Sequence, residues 1–347
     1  MAVNSKVVTI SEVADYAGVS QATVSRVLNG TAKVREEVSE RVRDAIKELG
    51  YNPNYAARSL ARKRTNTIGI IVSNLHDPFF HDLILGFETG AKDTDYNIIY
   101  CSVIDGDIKR KEKYLQYLNN GVVDGVILYG SYLDDKLLIK YLNNDTIRYI
   151  MIENDIPEIK CDKLEIDNQH GAEMATEYLI QNGFKLIAHI SGKLNVKASI
   201  DRMNGYLNAM RSAGLPVENG YLQHAHGGYE DAYDCMKNLV QLEKRPEAVF
   251  CSDDAHASYA IRAAIDLGLN VPQDISVIGY DNQYILPGNY TGPSITSVEQ
   301  PLFDIGKDSI QLMIKQLEDE SGTEKVVYKT YETKIVKKES VLEHKEL

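Results

Sequence analysis

The sequence predicts a small all-α helix-turn-helix head followed by an α/β body of two doubly wound parallel-sheet lobes. Three observations carry this. Two short amphipathic segments flank Gly18 near the start of the chain. From Thr67 onward, apolar strand-like runs alternate with helical stretches of about ten to fifteen residues. That alternation runs twice, and the 347-residue length suits two or three domains at roughly 100–200 residues each.

In the head, Thr9 suits a helix N-cap, with Glu12 three residues later completing a capping box. Val13 and Ala17 share one face, and Gly18 can take the left-handed conformation that stops the first helix. Ser20 then caps a second helix that turns Val24, Val27 and Leu28 inward and ends at Asn29-Gly30. A third helix from Glu36 to Leu49, with Val38, Val42, Ile46 and Leu49 as its stripe, closes the small core. The outward face of the second helix carries Gln21, Thr23, Ser25, Arg26 and Asn29, all hydrogen-bonding and none acidic. An arginine can read guanine bidentately, and hydroxyls and amides can reach phosphates, so this face predicts DNA reading rather than mere solvation.

Charge agrees with this division. Residues 1–65 hold 11 Lys and Arg against 7 Asp and Glu, whereas the remainder holds 27 against 43 and the whole chain carries −12. Phosphate attraction has to come from the head. The segment from Gly50 to Arg64 has Pro53 at the start of a short helix and Arg58, Arg62, Lys63 and Arg64 at its basic end, and a helix of about eight residues is too short to be stable in isolation. It suits a hinge that folds against DNA, with Leu60 as a minor-groove wedge.

In the body, strands are expected at 67–73, 97–103, 122–130 and 148–153, and in a second series at 163–167, 186–191, 221–225, 248–252 and 275–281. Doubly wound lobes bind ligands at the C-terminal ends of their strands. Asn74, His76, Asp77 and Phe79, Glu153, Asp253 and Asp254, and Asp281 fall there. One such group alone is often only a helix cap; several converging from both lobes suit recognition of a polyol. The chain carries no P-loop, GxSxG or HExxH motif and no paired Cys/His spacing, so neither an enzyme nor a metal or other cofactor is expected. Cys101, Cys161, Cys235 and Cys251 are scattered as in reduced cytoplasmic proteins. No run approaches the roughly 18 apolar residues of a membrane span, and the first residues have no apolar core of a secretion signal.

With these motifs in place, the chain resembles the lactose-repressor/galactose-repressor family from about Val8 to Leu317. The resemblance lies in TISEVADYAGVSQATVSRVLNG, AIKELGYNPNYAARSLARKRTNTIGIIV, DPFFHDLILGFE, RPEAVFCSDD and VPQDISVIGYDNQ, in that order. It implies lobes of the periplasmic-binding-protein type and a transcriptional regulator, most simply a repressor. Operator affinity would be controlled allosterically by a small molecule, a sugar or sugar derivative, in the cleft between the lobes. It implies base reading by Gln21, Ala22 and Arg26, and phosphate contacts from Thr9, Ser20, Thr23, Ser25, Asn29, Val34 and Arg35. Asn54, Ala57 and Leu60 would enter the minor groove. His76, Asp77, Phe79, Glu153, Arg202, Asp253, Asp281 and Gln300 would bind the effector. The implied partners are a palindromic operator and a second copy of the chain, as a homodimer or a tetramer.

The expected organisation is a head at 1–52, a hinge at 53–66 and a core at 67–340. Within the core, the first lobe takes 67–160 plus 294–320 and the second 161–293 plus 321–340. Two departures from the family pattern bear on the effector. Glu153 stands where many sugar-responsive members have the shorter Asp, and Gly227 replaces an aromatic that often stacks on the sugar. A catabolite-control regulator using a phosphocarrier protein as corepressor is the alternative input. A transporter's solute-binding protein shares the body but would not carry the head.

Overall fold

Local chemistry builds the head as its sequence suggests. In the computed structural model, which describes residues 8–29, 34–52, 64–130, 132–143, 147–154, 156–284, 286–287, 289–319 and 325–343, the chain divides into two compact units, Met1–Thr65 and Asn66–Leu347. The first contains α1 (Ile10–Ala17), α2 (Gln21–Asn29) and α3 (Glu36–Leu49). Thr9 Oγ1 accepts from the Glu12 N–H at 3.3 Å, and Glu12 Oε2 accepts from the Thr9 N–H at 2.8 Å. This is the reciprocal capping box. Gly18 ends α1 at φ 65°, a conformation that a Cβ would strain. Val13, Ala14, Ala17, Val24, Val42 and Ala45 form the buried core, with Val27, Leu28, Ile46 and Leu49 packed against it.

The second unit contains two six-stranded sheets. In chain order its strands are β1 (Thr67–Val72), β2 (Asn97–Ser102), β3 (Gly125–Tyr129), β4 (Arg148–Ile152), β5 (Asp162–Ile166), β6 (Ile187–Ser191), β7 (Leu222–His224), β8 (Ala248–Cys251), β9 (Ser276–Tyr280), β10 (Thr296–Glu299), β11 (Tyr328–Tyr331) and β12 (Lys334–Val336). The first sheet has the order β11-β5-β4-β3-β1-β2 and the second β12-β10-β9-β8-β6-β7. Every pairing is parallel except β10 with β12. Parallel strands need covered faces. The cover comes from α4 (His81–Ala91), α5 (Ile108–Leu118), α6 (Ile139–Leu142), α7 (Asn168–Gln181), α8 (Lys197–Ser212), α9 (Asp231–Val240), α10 (Asp254–Asp266) and α11 (Leu302–Glu318).

The chain crosses between lobes three times, after β5, β10 and β11, and here the structure differs from the sequence expectation. The strand at 162–166 does not open the second lobe; it pairs with β4 in the first sheet. The 296–299 strand stays in the second sheet beside β9, and only α11 returns to the first lobe. The 328–331 strand joins the first sheet beside β5 and the 334–336 strand the second. An apolar strand pattern reports burial, not which sheet supplies its neighbour, and these assignments depend on long-range pairing. The return of α11 is fixed by bare backbone. A Cβ on Gly86 would lie 2.2 Å from the Phe303 carbonyl oxygen, and one on Gly306 2.3 Å from that of Leu83. Only glycines allow α4 and α11 to cross this closely.

Candidate nucleic-acid interface and interlobe cleft

On the head, the second helix presents Gln21, Ala22 and Arg26 to solvent, while Thr23 and Ser25 are half-buried. Ser20 Oγ accepts the Thr23 N–H at 3.2 Å and pairs with the Thr23 hydroxyl at 2.9 Å, so the first turn of α2 is held by its own side chains. Val34 is half-buried and Arg35 exposed just ahead of α3. The Asn29 side chain and Asn54, Ala57 and Leu60 lie outside the described residues. No acidic residue falls within α2, so the exposed face can approach phosphates without like-charge repulsion.

In the second unit, a cavity of about 370 Å³ opens between the two lobes at the strand C-terminal ends. Asp77, Phe79 and Glu153 line it from the first lobe, and Arg202, Asp253 and Asp281 from the second. Two of the expected residues do not join them. His76 is exposed beside the loop, its N–H turned to the Asn74 side chain at 3.1 Å. Gln300 is buried behind the cleft, where its amide donates to Asp281 Oδ1.

Arg202 is the hub. It is buried, with Nε donating to Asn168 Oδ1 at 2.9 Å and Nη1 to the Ser252 carbonyl at 2.6 Å. Its Nη2 lies 3.3 Å from Asp281 Oδ1, and its guanidinium carbon sits 3.7 Å from the centre of the Tyr280 ring. Asn168 in turn donates to Glu153 Oε2, and Glu153 Oε1 accepts from the Ile166 N–H. Glu153 at the end of β4, Asn168 and Gln300 at two lobe crossings, and Asp281 at the end of β9 are thus joined through one guanidinium. Glu153 and Asp281 both hold positive φ, at 53° and 96°. Non-glycine backbone in that region costs about 1–3 kcal/mol and persists where surrounding structure fixes it, commonly at functional sites.

Burial controls the acids. It pushes the Glu153 carboxyl up to about 7, against the hydrogen bonds from Ile166 and Asn168 and the pull of Arg202. Burial likewise pushes Asp281 above the usual carboxylate range, with Arg202 opposing it. Asp253 goes the other way. Burial raises it, but the ring and backbone N–H of His256 and the charge of Arg202 outweigh that and hold it low.

Five aromatic or imidazole residues of the cleft were not legible as site residues, Phe80 and Tyr129 of the first lobe among them. His256 and Tyr229 stand on the second-lobe wall and Tyr132 on the first. Tyr229 lies two residues beyond Gly227 and supplies an aromatic to the wall that the glycine leaves bare. Its hydroxyl donates to Asp77 Oδ2 at 2.7 Å across the cleft. Nearby, the Leu133 N–H donates to the Asn195 carbonyl at 3.0 Å, and Tyr132 and Val196 form an antiparallel bridge. The lobes are therefore clasped at two places beside the cavity. Only His256 had a local signal, its i+3 spacing from a capping Asp253.

Among the described residues, no group of three or more His, Cys, Asp or Glu is placed to hold a metal ion. No helix among them is long and apolar enough to cross a membrane.

Known proteins match both units. Residues 9–54 match the model of bacterial regulatory proteins of the lacI family, and residues 176–341 that of a periplasmic binding protein-like domain. The HTH-type transcriptional regulator RegA of Clostridium saccharobutylicum is 38% identical over 310 residues, 89% of this chain and 92% of RegA. The ribose operon repressor of Halalkalibacterium halodurans is 37% identical over 314 residues, 89% of this chain and 90% of that protein. Among solved structures, the complex of the transcriptional regulator CelR with cellobiose superposes with a TM-score of 0.71 at 30% identity, covering 96% of this chain and 99% of CelR. These relatives are transcriptional regulators. The chain belongs to the lacI family of bacterial regulatory proteins, as a DNA-binding transcriptional repressor with an effector-binding body.

Proposed function

We propose that this repressor binds a palindromic operator as a homodimer and that a neutral polyol in the interlobe cleft sets its operator affinity. The proposed organisation is a reading head at 1–52, a hinge at 53–66 and a two-lobed core to about residue 340. Gln21, Ala22 and Arg26 read bases; Thr9, Ser20, Thr23, Ser25, Asn29, Val34 and Arg35 meet phosphates; Asn54, Ala57 and Leu60 enter the minor groove. Two copies place their recognition helices in successive major grooves roughly 34 Å apart.

The observation that carries the effector reading is the polar wall built around Arg202. Its guanidinium is already balanced by Asp281 and held by Asn168 and the Ser252 carbonyl. Acids outnumber the two cations in the cavity, where Asp77, Glu153, Asp253 and Asp281 stand against Arg202 and Lys193. Such a lining donates and accepts hydrogen bonds but opposes a phosphate or carboxylate. A ligand that binds the clasped lobes differently from the parted ones shifts the equilibrium between them, and one that binds both equally shifts nothing. Coupling of about 1–3 kcal/mol alters operator affinity by roughly 5- to 150-fold.

A thermal-shift screen of sugars and sugar phosphates, followed by operator titration with each hit, tests this. Neutral sugars should raise the melting temperature and change operator affinity. Stabilisation by phosphorylated sugars alone would overturn the reading of the cleft, and a chain that ignores palindromic duplexes at low salt would overturn that of the head.

A further inference from the structure

We propose that His256, rather than Asp253, reads the effector on the second-lobe wall, accepting a ligand hydroxyl's hydrogen bond at Nε2. The inference rests on the effector-cleft reading above and assigns a recognition atom within it.

The cleft carboxylates are engaged. Asp77 Oδ1 accepts the Phe79 N–H at 3.0 Å and Oδ2 the Tyr229 hydroxyl. Glu153 holds Ile166 and Asn168, and Asp281 holds Gln300 and Arg202. Asp253, at the start of α10, turns one lone pair of each oxygen to the same residue. Its Oδ1 accepts the His256 N–H at 2.8 Å and its Oδ2 meets His256 Nδ1 at 2.7 Å. Asp253 thus positions an imidazole, and that imidazole carries a polar atom with no other role.

That imidazole lines the cavity and is buried at 5% exposure, yet among the described residues its Nε2 has no protein hydrogen-bond partner. A polar atom on a cavity wall without a protein partner is free to meet a ligand or a water. The ring is also fixed. The Tyr229 ring meets it edge-on, with centres 5.2 Å apart and planes at 84°. On another side Gly192 backs it closely, since a Cβ there would lie 3.5 Å from His256 Cε1.

The chemistry follows from the tautomer. In the neutral ring a carboxylate at Nδ1 holds the one proton there, which leaves the Nε2 lone pair for whatever fills the cleft. A polyol hydroxyl fits a fixed acceptor, and a ligand offering only acceptors does not. Tyr229 links this recognition to closure, because it packs on His256 with its ring and reaches the first lobe through Asp77 with its hydroxyl.

The test uses the full chain with D-ribose and cellobiose as probes, followed by calorimetry. His256→Phe keeps a ring against Tyr229 and removes Nε2; His256→Gln restores an acceptor near the same place. For a sugar that binds the parent protein, His256→Phe should weaken binding at least about tenfold while His256→Gln stays within about threefold. Unchanged binding by His256→Phe overturns the proposal and leaves the cleft reading intact. If neither sugar binds the parent protein, the polyol reading of the cleft is what suffers, and His256 is judged by its nitrogen spectrum. In the neutral ring, a long-range proton–nitrogen correlation should place the proton on Nδ1. A ring protonated on Nε2 overturns the acceptor assignment.

Discussion

The Tyr229 hydroxyl donates to Asp77 Oδ2 at 2.7 Å and joins the second lobe to the first across the cavity. Both partners sit on loops beyond strand ends, where small rotations of the lobes change separations most. A hydrogen bond to a carboxylate there favours the clasped arrangement. Tyr229→Phe keeps the ring against His256 and removes only this link. Net contributions of about 0.5–1.5 kcal/mol per hydrogen bond translate into effector binding weaker by roughly two- to tenfold. Calorimetry reads the affinity, and small-angle scattering should show a larger radius for the variant. Unchanged values for both would mean that the other interlobe contacts suffice.

Arg202 concentrates more consequences in one side chain. Arg202→Ala strips a partner from Asn168, from the Ser252 carbonyl and from Asp281 together. Removing one member of a buried pair costs about 3–5 kcal/mol because the other charge stays buried. The variant should melt lower, retain operator binding through its separately folded head, and lose its response to the effector. Operator titration with and without the stabilising sugar checks this. A variant still responding at the parent's effector concentrations would remove Arg202 from the coupling.

Glu153 predicts a pH dependence. Its carboxyl is raised from 4.5 in the free chain to about 7 in the fold. Between those values the folded protein holds a proton that the unfolded chain has released. Stability from this group is therefore fully present below about 4.5 and is lost as pH rises through about 7, by on the order of 1–3 kcal/mol. Glu153→Gln cannot ionise, so whatever it costs outright, its stability should decline less from acid to neutral pH. Chemical denaturation at several pH values gives the comparison. Equal slopes in parent and variant would show that the fold does not hold this proton.

What the sequence made legible was local. The Thr9–Glu12 box and the Gly18 stop depend on residues three to nine apart, and both formed as read. Strand and helix alternation depends on periodicity and also held. Lobe membership of the strands at 162–166, 296–299 and 328–331 did not follow, because each joins a sheet through partners far along the chain. The cleft was legible as a set of strand-end polar residues. Which oxygens were already occupied was not, since Asp253 turning to His256 and Gln300 backing Asp281 are decided by rotamers and packing.

The head gives the sharpest test of sequence reading by DNA. Arg26 is exposed in the last turn of α2 and contributes nothing to the core around Val13 and Val24. Arg26→Ala should therefore leave the melting temperature nearly unchanged, as surface substitutions usually stay within about 0.5 kcal/mol. If Arg26 holds a guanine edge, operator affinity should fall by about 1–3 kcal/mol while binding to unrelated duplex falls far less. If it merely neutralises a phosphate, both duplexes should weaken alike and the salt dependence should drop by about one ion. Titrating operator and scrambled duplexes across a salt series separates the two outcomes. A uniform loss would move base reading from Arg26 to Gln21 and Ala22, its exposed neighbours on the same helix.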